Sequence, residues 1–125
     1  MADRERGATV VEFLGVTLLV AAAVMVLLQM AVWVWARNVA VNAADEGART
    51  AAEQGRPLTD GTARTRAVLR DGLGASGSRF AVDAAQDGGT VVVVASGDAP
   101  QVVPFLPSFT VHAEARALDE DTVTR

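Results

Sequence analysis

Few residues in this chain are of types that do chemistry, and one of those few is out of place. There is a single histidine, His112, and no cysteine, so neither a thiolate nucleophile nor a thiolate metal site can form. His112 lies among charged residues in an alternating segment and reads as a surface side chain. No cluster of His and carboxylates has metal-ligand spacing, and no hydroxyl has a plausible base beside it. Gly88-Gly89 reads as a turn and not a phosphate loop, because no helix follows it. Asp119-Glu120-Asp121 reads as an acidic tail. These features argue against an enzyme, and no cofactor or metal is expected. The displaced residue is Glu12, set between Val10-Val11 and Phe13-Leu14. A carboxylate carried to mid-bilayer costs on the order of a few kcal/mol, and less near the headgroups. It therefore either marks the edge of a membrane span or meets a partner there.

The element that holds Glu12 dominates the composition. Half of the 125 residues are hydrophobic, and the mean hydropathy of +0.26 is concentrated near the N-terminus. From Phe13 to Ala36 the run is broken only by Gly15, Thr17 and Gln29, without a charge. As a helix that stretch is about 36 Å long, enough to cross a ~30 Å hydrocarbon core with some tilt. A single pass must be helical, since lipid offers the backbone no partners. The span is expected over residues 8–37, after a short segment 1–7. The apolar run continues well past Ala21-Ala22-Ala23, so it is too long for the core of a conventional cleaved signal. Trp33 and Trp35 sit at its C-terminal end with Arg37, where interfacial anchors belong. Arg4 and Arg6 on one side balance Arg37 and Arg49 on the other, so charge alone leaves orientation open.

Beyond the span the chain is small, rich in Ala, Gly and Val, and mildly acidic, with a formal charge of −4. That balance argues against nucleic-acid binding. Ala40, Ala43, Ala44, Gly47, Ala48 and Ala51 recur at helical spacing, a stripe of small side chains that lets another backbone approach. The helix should thus continue over residues 38–56 and end at Gly55 and Pro57. Thr59 or Asp60 could cap a second helix running to Leu73, with Arg64, Arg66 and Arg70 on a solvated side. Residues 80–84, 90–95 and the alternating segment from Phe109 read as three antiparallel strands, the first two joined by a hairpin. Ser96-Gly97-Asp98-Ala99-Pro100 is expected to break the second. The fold expected is a single-pass membrane α+β chain: a long N-terminal helix, a short second helix and a small antiparallel sheet. Residues 57–118 would form the small domain and 119–125 a loose acidic tail.

The stretch Arg4-Glu5-Arg6-Gly7-Ala8-Thr9-Val10-Val11-Glu12-Phe13 resembles the class III signal of type IV pilin-like proteins. In such signals a short charged leader ends in Gly, and Glu stands fifth in the hydrophobic segment that follows. With Ala43-Ala44-Asp45-Glu46-Gly47-Ala48-Arg49-Thr50-Ala51-Ala52 and Val111-His112-Ala113-Glu114-Ala115-Arg116, the chain is similar to the TadE-like family of pseudopilins, associated with tight-adherence pili.

That resemblance implies processing by a prepilin peptidase between Gly7 and Ala8. Glu12 would then neutralise the new α-amino group of a neighbouring subunit, selecting register as helices stack. It also implies a leader in the cytoplasm, a domain outside the cytoplasmic membrane, and an extracellular position once assembled into a pilus. The partners would be membrane lipid, the peptidase, other pilin-like subunits and the Tad machinery. The residues alone leave a second reading open, a bitopic anchor whose extracytoplasmic domain binds an envelope partner or ligand.

Overall fold

The computed structural model describes residues 2–53 and 56–118. Met1, Gly55 (expected to cap the first helix) and the acidic tail from Asp119 lie outside the described residues. The chain forms one long helix, α1 (Ala2–Ala52), then α2 (Leu58–Leu73) and a single turn, α3 (Ala75–Ser78). A three-stranded sheet follows, of β1 (Ala81–Asp87), β2 (Thr90–Asp98) and β3 (Thr110–Leu118). This is the single-pass α+β architecture expected from the residues. The 51 residues of α1 make a rod of about 76 Å.

The rod has two different halves. Every residue from 5 to 28 is exposed on all sides of the helix. The most apolar window of α1 has a mean hydropathy of 2.5, with none of it buried, so it is not the core helix of a globular domain. Within this bare half, the hydroxyls of Thr9 and Thr17 donate to the carbonyls of Glu5 and Phe13, each at 2.8 Å. Such back-bonding satisfies a hydroxyl without water. From Gln29 onward one face is covered, and Ala36, Ala40, Ala43, Ala44 and Ala48 are fully buried.

The alanine stripe is covered by both α2 and the sheet. α2 runs back along α1, Gly61 lying against Gly47 and Ala51, and Gly72 against Val39. A Cβ on Gly61 would lie 2.6 Å from the Ala51 Cβ and 2.8 Å from the Gly47 carbonyl oxygen. The two helices therefore meet backbone to backbone, as small-residue stripes permit. Leu69 and Leu73 of α2 complete the core with Phe80, Val82, Val91, Val93, Ala95, Val111 and Ala113 from the sheet side.

One detail of the second helix differs from the sequence expectation. Pro57 is the N-cap, and no side chain caps the helix. Proline's fixed φ suits a helix start, which moves Thr59 and Asp60 into the first turn, where an acidic group complements the dipole. Arg64, Arg66 and Arg70 are exposed, as expected, and Arg64 also pairs at the surface with Glu46 of α1 at 2.7 Å.

The sheet is an antiparallel meander, order β1-β2-β3. Gly88 and Gly89, with φ of 55° and 90°, form the two-residue hairpin turn that requires left-handed backbone at both positions. β2 does not break at Ser96-Gly97-Asp98; these residues pair with Thr110, Val111 and His112. Gly97 pairs with Val111 in the strand, and the Phe80 ring occupies the space where a Cβ would be. The alternation predicted for β3 is observed, with Val111 and Ala113 buried and Thr110, His112, Glu114 and Arg116 exposed.

Candidate functional site

The residues singled out at the N-terminus all lie on the bare half of α1. Gly7, Ala8 and Glu12 are exposed and helical. Ala8 and Glu12, four apart, share a face about one turn from each other. Among the described residues Glu12 forms no ion pair, and it is the only charge between Thr9 and Ala36. The Gly7–Ala8 bond lies inside continuous helix. A Cβ on Gly7 would meet nothing within 4 Å, so packing within the chain does not require glycine there.

At the other end of the apolar run, Trp33, Trp35 and Arg37 have different surroundings. Trp35 and Arg37 are exposed. Trp33 is half-buried, and its indole N–H donates to the Thr110 carbonyl at 3.0 Å. This bond fastens the start of β3 to α1. Further along, Arg37 and Asp45 of α1 share a shallow groove with Glu114 and Arg116 of β3. β3 thus ascends beside α1.

Gln29 had stood out only as an interruption of the apolar run. It is fully buried, and both ends of its amide are bonded. Its Nε2 donates to the Pro100 carbonyl at 3.1 Å. Its Oε1 accepts from the Val102 and Val103 N–H groups at 3.1 and 3.3 Å. The signal was present in the sequence, since an amide in an apolar helix needs partners. What could not be read was the partner, a loop 71 residues away. Gln101 was likewise missed: its Nε2 donates to the carbonyls of Val103, Pro104 and Leu106 at 3.3, 3.1 and 2.7 Å.

These features define a class: a single-pass membrane protein whose apolar N-terminal helix carries one acidic residue near its start and a small α+β domain near its end. Residues 7–49 match the model of a family described as TadE-like protein. The resemblance seen in the Gly7 to Phe13 and Ala43 to Arg49 segments is thereby supported over that stretch. The match falls wholly within α1; α2 and the sheet lie outside it. The family is structural and not enzymatic. No curated protein and no solved structure matches the chain significantly.

Proposed function

We propose that the chain is a pilin-like subunit that a prepilin peptidase cleaves after Gly7 and that joins or primes a Tad-type envelope assembly. The carrying observation is Glu12, alone among apolar residues on a helix whose whole circumference is bare from residue 5 to 28. The chain's own domain covers none of that surface, so it is available to lipid first and to other helices afterwards. Removal of the leader creates an α-amino group on Ala8. An axial offset of about one turn between neighbouring helices would bring that amine to the next subunit's Glu12. A desolvated pair of this kind penalises every other register, because a misaligned carboxylate stays unpaired in lipid. In this reading the leader lies in the cytoplasm, the domain outside the cytoplasmic membrane, and Trp35 and Arg37 near the outer headgroups.

Mass spectrometry of the mature N-terminus tests the processing step. The reading expects a membrane-bound form beginning at Ala8. A protein still beginning at Met1 or Ala2 in cells with active peptidase overturns it. The groove lined by Arg37, Asp45, Glu114 and Arg116 favours a second reading, an anchored domain that binds an envelope partner without assembling. Glu12→Ala separates the two: an assembly subunit loses incorporation while still inserting, and a simple anchor is indifferent.

A further inference from the structure

Between β2 and β3 the chain makes a loop, Ala99 to Phe109, that contains no charged residue in a protein that is 21% charged. Val103 is buried and Leu106 and Phe109 are half-buried, but two of its large apolar side chains are not tucked in. Phe105 is 74% exposed and Val102 is 54% exposed. In water such a loop is costly to present.

Its position along α1 explains the composition. Gln29, which grips the loop at Pro100, Val102 and Val103, is the first buried residue of α1 after the exposed stretch 5–28. The loop is therefore the part of the folded domain nearest the bare apolar helix. Phe105 lies in the tight turn that follows, closed by the Leu106 N–H to the Val103 carbonyl at 3.2 Å. A ~30 Å hydrocarbon core starting just after Glu12 extends for about 20 residues, which brings its outer boundary to the level of Gln29 and the residues just after it. The loop sits at that boundary.

Irregular backbone is tolerated near hydrocarbon only where its polar groups are satisfied within the protein. This loop meets that condition unusually well. Gln29 takes the Val102 and Val103 N–H groups and the Pro100 carbonyl, and Gln101 takes the carbonyls of Val103, Pro104 and Leu106. Pro100, Pro104 and Pro107 have no N–H to satisfy. Two glutamines and three prolines remove much of the polarity of an eleven-residue loop, while Val102 and Phe105 project.

We infer that the 99–109 loop is a second membrane contact, which inserts Phe105 and Val102 into the lipid leaflet on the domain's side of the bilayer, beside α1. This rests on the reading of α1 as a membrane span. The folded domain would then be held at two points, and its sheet would stand at a fixed inclination to the membrane surface. At the opposite end, the Gly88-Gly89 hairpin tip would point away from the lipid, since β2 separates it from the loop by nine residues, about 30 Å.

The chain has no cysteine, so single cysteines can carry an environment-sensitive fluorophore on the full-length protein in phosphatidylcholine–phosphatidylglycerol vesicles. Phe105→Cys reports the loop, Val20→Cys the span and Asp87→Cys the hairpin tip. The proposal expects blue-shifted emission at positions 105 and 20, most of it lost when lipids with nitroxide-labelled acyl chains are included. Position 87 should instead be quenched by aqueous iodide. Iodide quenching at 105 equal to that at 87, with 20 still lipid-quenched, overturns the loop contact and leaves the span intact. Loss of lipid quenching at both 105 and 20 overturns the span as well. A probe at 105 shielded from iodide but untouched by nitroxide lipid also overturns the proposal, and identifies a second copy of the chain as the loop's cover.

Discussion

Gln29 and Glu12 are the two polar side chains in the apolar half of α1 that the helix cannot satisfy for itself, and the chain treats them oppositely. Gln29 receives three backbone partners from a distant loop; Glu12 receives none among the described residues. Gln29→Ala strands two N–H groups and a carbonyl in a partly buried site, which costs about 1–3 kcal/mol. The variant should still insert in membranes, while hydrogen exchange at Val102 and Val103 accelerates relative to the strands. Unchanged exchange there would mean that Gln29 does not hold the loop. Gly7 allows a separate prediction. Gly7→Ala meets no atom and removes a weak helix former, stabilising α1 locally by roughly 0.5–1 kcal/mol. It should leave insertion intact and slow leader removal, read as the ratio of unprocessed to processed chain on a gel. A variant processed at the normal rate would show that the peptidase does not require Gly7.

The union of α1 with α2 rests on absent side chains. Gly47→Val would drive its Cβ into Thr65 and to within 2.7 Å of the Gly61 carbonyl oxygen, and backbone cannot yield as a flexible side chain can. The expected loss is about 1–3 kcal/mol or more, seen as a lower unfolding temperature in detergent and faster tryptic cleavage at Arg64, Arg66 and Arg70. Arg64→Ala, which removes only a half-exposed ion pair to Glu46, should cost ~0–1 kcal/mol. An equal loss in the two variants would refute the backbone-contact account. The alanine stripe and both strand alternations were legible in the sequence because they are periodic, and periodicity is local information. The Glu46–Arg64 pair and the continuation of β2 through Gly97 were not, because each depends on an approach between distant segments. Gly97 looked like a breaker by type; only the Phe80 ring over it makes glycine the residue that fits a strand there.

Considered whole, the protein is a rod whose two halves meet near Gln29, whereas the sequence alone extends the span to Arg37. Hydropathy could not find that junction, since residues 30–36 are as free of charge as residues 13–28, and only the docked loop and β3 show which neighbours they have. The difference is testable without any assumption about assembly. If lipid surrounds the helix as far as Arg37, a cysteine at Val34 lies in hydrocarbon and should be as unreactive toward a charged maleimide as one at Leu19. If the hydrocarbon ends near Gln29, Val34 stands about 8 Å above that boundary, among the headgroups. Val34→Cys should then label at a rate between those of Leu19→Cys and Val41→Cys, all three being exposed positions on the isolated chain. Labelling of Val34→Cys as slow as that of Leu19→Cys would restore the longer span. It would also require the domain to ride partly within the bilayer, because Trp33 is bonded to the first residue of β3 and the domain cannot be raised along α1 without breaking that bond.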